Sequence, residues 1–124
     1  MCTNVENPHR MIQVELVDNW HPRWREVLDA IEFLGQRDGL QVDRDGWLPA
    51  RQNLLVAFAD EMIAGHLSFC VQPSRNAADQ RDVEAQLQTL GVQPEFAQEQ
   101  IRTLLRAAAE QRAESLRCHR LVGF

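Results

Sequence analysis

The stretch LGVQPEFAQEQIRTLLRAAAEQRA, residues 90–113, joins the end of a strand to a long helix. The ten residues VEAQLQTLGV (83–92) alternate through Val83, Ala85, Leu87 and Thr89, as a half-buried strand does. From Pro94 onward the apolar residues recur at helical spacing: Ile101, Leu104, Leu105 and Ala108. The sequence therefore predicts a strand over 83–92 that leads directly into a helix.

The segments on either side complete an α/β order. MIQVELVD (11–18) predicts a strand with Ile12, Val14 and Leu16 facing inward, and residues 19–39 predict a helix ended by Gly35 and Gly39. Residues 40–52 look irregular. Two β-rich runs, 53–60 and 62–72, form a hairpin around Asp60-Glu61, a polar loop covers 73–82, and HRLVGF (119–124) is a last strand. The predicted order is β-α-β-β-β-α-β, with the last strand parallel to strand 83–92 after a right-handed crossover.

Composition is that of one ordinary globular domain. Of 124 residues, 44% are apolar and 25% are charged, so we expect a single domain over 11–124 after a loose arm at 1–10. The net charge of −5 gives no general cationic field for nucleic acid or an anionic membrane. All 13 basic residues are arginine, which excludes Schiff-base and lysine-base chemistry.

Cysteine usage and hydropathy indicate a cytoplasmic location. The three widely spaced cysteines contain no CxxC pair and are interpreted as reduced thiols. No apolar run approaches the roughly 20 residues that span a bilayer. The first ten residues lack the apolar core of a secretory signal.

Two segments resemble motifs of the GCN5-related N-acetyltransferase (GNAT) superfamily. The predicted hairpin LLVAFADEMIAGHLSFCV (54–71) is similar to the superfamily pattern LVAEDDGEIVGHLSL. The strand and helix LQTLGVQPEFAQEQIRTLLRAAAEQRA (87–113) are similar to LxVxPEYRGRGIGRALLEAA. The resemblance covers 11–124 and implies an α/β GNAT-like fold: a mainly antiparallel sheet with helices on both faces.

The resemblance also implies an acyl-CoA site. In the superfamily the strand before the long helix separates from the strand after it, and the pantetheine arm of acyl-CoA pairs with the exposed strand edge. The pyrophosphate sits on backbone amides at the helix N-terminus, where the helix dipole favours an anion. By this resemblance the cofactor-binding residues are Leu90, Gly91, Val92, Gln98, Glu99, Gln100, Ile101, Arg102 and Thr103.

The pyrophosphate loop departs from the superfamily pattern Arg-Gly-Arg-Gly-Ile-Gly. Gln98, Gln100 and Arg102 fill the three glycine positions, and their side chains obstruct close approach of a phosphate to the backbone. Glu99 adds a negative charge, which would cost about 1 kcal/mol or more against a pyrophosphate ~4–6 Å away. Arg102 and Arg106 offset part of that repulsion. The alternative interpretation is that AQEQIR is only a good first helical turn.

A second departure concerns the general acid and the end of the chain. Superfamily members usually continue with a helix and two more strands, and that tail often supplies a tyrosine that protonates the leaving thiolate. This sequence stops at Phe124 and has no tyrosine. The C-terminal helix and strands are therefore expected to be missing. Either strand 119–124 pairs with a second copy as a homodimer, or the sequence is a shortened piece of a longer domain.

Several other residues with reactive or aromatic side chains also have structural interpretations. Glu84 is the candidate catalytic base, with a solvated strand-end charge as the alternative. His66 and Cys70 share a strand face but lack further ligands, so no metal site is predicted. Trp24 is interpreted as core, and Trp47 as a substrate wall or interface anchor.

The sequence leaves two functions of different classes. The first is an N-acyltransferase that moves an acetyl or other acyl group from acyl-CoA to a small-molecule or protein amine by direct attack. The second is a non-catalytic module of the same fold that acts through protein contact or self-association.

Overall fold

The computed structural model describes residues 11–74 and 83–124. The predicted arm (1–10) and residues 75–82 of the predicted polar loop lie outside these described residues. The elements are β1 (Ile12–Val17), α1 (Trp24–Phe33), α2 (Arg37–Leu40), β2 (Gln52–Ala59), β3 (Met62–Pro73), β4 (Val83–Val92), α3 (Gln98–Ser115) and β5 (Cys118–Val122). The predicted order is confirmed, except that the single helix predicted over 19–39 is divided into α1 and α2, with Gly35 between them at a φ of 73°.

One five-stranded sheet has the strand order β1-β2-β3-β4-β5. Its first three pairings are antiparallel, and the β4–β5 pairing is parallel across the α3 crossover. The sheet is therefore mixed and mainly antiparallel, as predicted. The β2–β3 hairpin turns at Asp60 and Glu61, with Ala59 opposite Met62 and Asp60 at a φ of 57°.

The two faces of the sheet carry separate cores, because alternate residues of β2 point in opposite directions. On one face α3 packs onto Leu55 and Ala57 through Ile101, Leu105, Ala109 and Ala113. On the other face α1 packs onto Leu54, Val56 and Phe58 through Trp24, Val27, Leu28 and Ile31. Helices thus cover both faces, and every residue of β2 is buried.

The packing confirms one local prediction, for Trp24, and contradicts two, for Leu16 and Gly39. Leu16 is 47% exposed, whereas its neighbour Val17 is buried in the α1-side core, so the predicted inward face of β1 is wrong at its end. Trp24 is a core residue as predicted, and its indole Nε1 donates to Gly46 O at 2.9 Å. The prediction that Gly39 ends a helix is wrong, because Gly39 lies within α2. A Cβ here would come 2.5 Å from Thr89 Cγ2, so this glycine allows α2 to approach β4.

Among the helices of the described residues, none is long and apolar enough to cross a membrane.

Candidate functional site

The strands β4 and β5 separate part of the way along the sheet. Their parallel pairing runs from Val83–Cys118 to Gln86–Val122, and β4 then continues for six residues to Val92. Within the continuously described segment 83–124, no β5 residue pairs with β4 beyond Gln86. The edge of β4 from Leu87 to Val92 therefore faces an opening that ends at the start of α3.

Main-chain carbonyls along this edge already accept hydrogen bonds from glutamine side chains. Gln36 Nε2 donates to Leu90 O at 3.1 Å, and Gln98 Nε2 contacts Val92 O at 3.5 Å and Gln93 O at 3.1 Å. These carboxamides occupy the carbonyl oxygens to which the amide N–H groups of a bound ligand would otherwise donate. A ligand that pairs with the β4 edge must displace them or bond to the remaining lone pairs.

Gly91 lies between Leu90 and Val92. Packing, and not turn geometry, requires a glycine at this position. A Cβ at this position would lie 2.9 Å from His66 Cε1 and 2.9 Å from Leu34 Cδ1. These distances leave no room for a side chain. Gly91 therefore lets His66 and the end of α1 approach the strand.

The first turn of α3 is open to solvent. Ala97 is the N-cap, with extended φ and ψ and no side-chain cap, and Gln98, Glu99 and Gln100 are exposed. Because the first amides of a helix have no intrahelical acceptor, this turn presents N–H donors and the positive end of the helix dipole. Glu99 places its carboxylate on the same turn, and Thr103 Oγ1 bonds back to Glu99 O at 2.8 Å.

The side chains that follow on α3 differ in burial. Ile101 is buried in the α3-side core, so its side chain serves packing. Arg102 is half-buried, and its Nε finds no hydrogen-bond partner among the described residues. Arg106 is exposed on the following turn. Arg102 could offset Glu99 through its charge, but its unpartnered Nε is a buried atom.

A buried histidine, His66, contacts the Gln36 side chain that donates to the β4 edge. His66 is 1% exposed, and its Nε2 lies 2.9 Å from Gln36 Oε1. Since Gln36 uses its amide nitrogen on Leu90 O, its oxygen accepts and His66 Nε2 carries the proton. Burial lowers the pKa of His66 to about 4, so the ring is neutral at pH 7. Gln36 was not predicted, because no local pattern marks a residue whose partners lie 30 and 54 positions away.

A pocket of ≈ 280 Å³ lies beside this network. It is lined by Gln36, Gly39, Gln88, Thr89 and Leu90. Its floor is the β4 edge, and its opposite wall is the α1–α2 connection. Ser68 and Thr89 share a 2.7 Å hydroxyl hydrogen bond at the back of this region.

Glu84 occupies the paired end of β4. It is 3% exposed, and Gln72 Nε2 donates to its Oε2 at 3.3 Å and to Gln86 Oε1 at 2.9 Å. Arg120 Nε on β5 lies 4.0 Å from Glu84 Oε1. The alternative of a solvated strand-end charge is wrong, because the carboxylate is buried. It lies two residues before the point at which the strands separate.

The side chains considered for metal binding are buried on the sheet face opposite α3. His66, Ser68 and Cys70 are all 8% exposed or less. Among the described residues, no group of three His, Cys, Asp or Glu side chains converges to hold a metal. Cys118 lies at the start of β5, where burial raises the pKa of its thiol.

Sequence comparison finds no matching protein-family model and no matching curated protein. Solved structures do match. An aminoglycoside acetyltransferase from an uncultured soil metagenomic sample, in complex with sisomicin, superposes with a TM-score of 0.69 at 15% identity, over 89% of this chain and 74% of its own. A ribosomal-protein-alanine N-acetyltransferase from Brucella melitensis biovar Abortus 2308 gives 0.68 at 18% identity, over 90% and 78%.

A third structure, an aminoglycoside N-acetyltransferase in complex with CoA, gives a TM-score of 0.60 at 17% identity, over 90% of this chain and 75% of its own. A GNAT family acetyltransferase from Staphylococcus aureus gives 0.65 at 13% identity, over 90% and 84%. The chain therefore has the GNAT fold, as the two sequence motifs predicted.

Proposed function

We propose that this protein is a GNAT-type N-acyltransferase that binds an acyl-CoA along the β4 edge and transfers its acyl group to an amine. The observation that carries the proposal is the end of β4–β5 pairing at Gln86 and Val122, with β4 running on to the open first turn of α3. One structural neighbour was solved with CoA and another with the aminoglycoside sisomicin. A CoA donor and an amine acceptor of the acyl group suit an opening that has a strand edge and a helix N-terminus.

The reaction proposed is direct attack. The amine nitrogen bonds to the thioester carbonyl carbon, the carbon–sulfur bond breaks, and CoA leaves as the thiolate. Main-chain N–H groups of β4 are the proposed donors to the carbonyl oxygen as charge develops on it. The proton lost by the amine goes to Glu84, directly or through a water molecule.

In the proposed complex the pantetheine amides replace the glutamine amides on Leu90 and Val92, and the pyrophosphate meets the backbone of residues 97–102. Gln98 would have to leave Val92 O and Gln93 O, which are its partners in the free chain. Glu99 repels the pyrophosphate, and Arg102 attracts it. The affinity for acyl-CoA is therefore set by a competition within this short segment.

The same contacts favour a second candidate, a non-catalytic module of the GNAT fold. In that case Gln36 and Gln98 permanently satisfy the carbonyls of Leu90 and Val92, and the first turn of α3 only starts a helix. The partner would then be a protein. We infer that a second copy of the chain is that partner in either case, through the outer edge of β5, which ends the order of the described sheet.

Acetyl-CoA titration by calorimetry separates the two candidates. The variant Q98G/Q100G/R102G restores the superfamily glycines, and Q111G/E114G places glycines at exposed positions late in α3 as the control. If the transferase proposal is right, wild type binds and the triple variant binds more tightly, whereas the control binds like wild type. Each glycine in the helix also costs stability, by roughly 1 kcal/mol. No binding by either wild type or the triple variant at millimolar acetyl-CoA would rule out the transferase.

A further inference from the structure

Gln36 is held at the β4 edge by two hydrogen bonds, one to each end of its carboxamide. Its Oε1 accepts from His66 Nε2 at 2.9 Å, and its Nε2 donates to Leu90 O at 3.1 Å. Close packing adds to this placement, because a Cβ at Gly91 would lie only 3.1 Å from Gln36 Nε2. The carboxamide is therefore fixed in position and in orientation, with its N–H group toward β4.

His66 keeps this orientation even if Leu90 O takes another donor. The ring is 1% exposed, so water cannot replace Gln36 as the acceptor for its Nε2–H group. A buried donor that loses its acceptor is unfavourable. When a ligand occupies Leu90 O, Gln36 Oε1 consequently stays with His66, and the amide hydrogens of Gln36 become available to that ligand.

The amide nitrogen of Gln36 has a hydrogen to spare even in the free chain. A carboxamide nitrogen carries two hydrogens, and Leu90 O accepts one of them. Among residues 11–74 and 83–124, no second acceptor lies within hydrogen-bond distance of Gln36 Nε2. The bond to Leu90 O is only partly buried, and both residues line the pocket of ≈ 280 Å³. A ligand in that pocket therefore meets an N–H donor that is already held in place.

This pocket lies on the side of Leu90 to which the acyl end of the ligand would point. Its strand residues are Gln88, Thr89 and Leu90, so it extends along β4 away from α3. The proposed pyrophosphate position is at the opposite end, where α3 begins beyond Val92. A pantetheine arm that runs along β4 from that end brings its thioester toward Gln88. None of the five lining residues is charged, which suits a neutral thioester.

We propose that Gln36 is a catalytic residue that donates an Nε2 hydrogen to the thioester carbonyl oxygen of acyl-CoA. The inference rests on the proposed function, and it adds a side-chain donor to the main-chain N–H groups of β4. Negative charge develops on the carbonyl oxygen as the amine attacks, and a donor that is already oriented stabilises this charge. The hydrogen stays on the Gln36 nitrogen throughout, so no further proton acceptor is needed.

The test follows the NMR signal of acetyl-CoA labelled with ¹³C at the thioester carbonyl. A hydrogen bond to the carbonyl oxygen draws electron density from this carbon and moves its signal downfield. Gln36→Met keeps the length of the side chain and removes both amide hydrogens, so the bound signal should lie upfield of its wild-type position. Gln36→Glu should give the same direction of change, and it keeps an acceptor for His66 if the methionine variant does not fold. Gln111→Met, at an exposed position late in α3, is the matched control and should give the wild-type signal.

Kinetics provide a second readout. With the most active acceptor amine of a panel, Gln36→Met should lower kcat about a hundredfold, as the loss of one such donor does, with little change in the KM for acetyl-CoA. A purely structural role of Gln36 would instead weaken CoA and acetyl-CoA binding alike and leave the ¹³C signal in place. If wild type binds acetyl-CoA and both Gln36 variants give the wild-type ¹³C signal, the assignment of Gln36 is overturned and the transferase proposal stands. If wild type does not bind acetyl-CoA, both are overturned.

Discussion

At the scale of single residues, Glu84 offers the sharpest test of catalysis. Glu84→Gln keeps the size of the side chain and an oxygen for Gln72, but it removes the proton acceptor. With the most active acceptor amine of a panel, kcat should fall about a hundredfold, the usual contribution of a general base. The KM for acetyl-CoA should stay nearly unchanged. The measurement is thiol release followed across pH.

The pH profile distinguishes catalysis from support of the fold. If Glu84 is the base, the variant loses the acidic limb of the kcat/KM profile. If Glu84 only holds β3, β4 and β5 together through Gln72 and Arg120, the limb remains and the thermal midpoint falls instead. Glu114→Gln, at an exposed site on α3, should leave both properties unchanged.

His66 makes stability depend on pH in a defined direction. Its folded pKa of about 4 is lower than the ordinary value of 6.5, so the unfolded chain binds the proton more readily. Stability from this residue is fully present above pH 6.5 and is lost as pH falls toward 4, by about 1.4 kcal/mol per unit. Urea unfolding at pH 7.5 and 5.5 should show a smaller loss for His66→Gln than for wild type. Parallel losses would contradict this account of His66.

Single residues also show what the sequence could predict. Trp24 was assignable to the core because it repeats with Val27 and Leu28 at helical spacing. Leu16 was assigned wrongly, because alternation fixes the two faces of a strand but not where the neighbouring layers end. Gln36 could not be found at all, since its importance depends on contacts with His66 and Leu90 that only the tertiary fold creates.

At the scale of one element, the first turn of α3 contains two opposed effects of Glu99. A carboxylate at a helix N-terminus stabilises the helix through its dipole, by about 0.3–1 kcal/mol. The same charge repels a phosphate bound to that turn. Glu99→Gln should therefore lower the unfolding free energy slightly and tighten acetyl-CoA binding severalfold at low salt.

The paired measurements are urea unfolding and calorimetric titration. Glu110→Gln removes a carboxylate from an exposed position further along α3 and should change acetyl-CoA affinity little. Added salt should shrink the difference between Glu99→Gln and wild type, because ions screen exposed charges. If acetyl-CoA binds both proteins equally at low salt, the pyrophosphate does not lie on this turn.

Elements were predictable where a long pattern specified them. β4 and α3 each carry ten or more residues of one period, and both were found within a few residues of their bounds. The division of the predicted helix 19–39 into α1 and α2 was missed, because the four residues of α2 are too few to show a period of their own. The separation of β4 from β5 came from resemblance to the superfamily, since no local signal marks where two strands stop pairing.

At the scale of the whole molecule, the GNAT fold places unpaired backbone on both sides of β5. On one side of β5 lies the opening toward β4, and on its other side the strand ends the described sheet. A strand edge with free N–H and C=O groups invites pairing with another strand. The same short strand therefore contributes both to the proposed cofactor opening and to the proposed contact between copies.

Self-association through β5 predicts a mass twice the 14.3 kDa of one chain in sedimentation experiments at micromolar concentration. His119 has no β4 partner in the register, so His119→Pro removes a backbone donor without breaking a β4–β5 pair. This variant should sediment as a monomer with its fold retained, whereas His119→Ala should remain dimeric, because alanine keeps the N–H. A monomeric wild type would exclude the β5 contact, and a dimeric His119→Pro variant would place the interface elsewhere. If the dimer forms and acetyl-CoA shifts its equilibrium, then pairing on one side of β5 is coupled to occupation of the opening on the other.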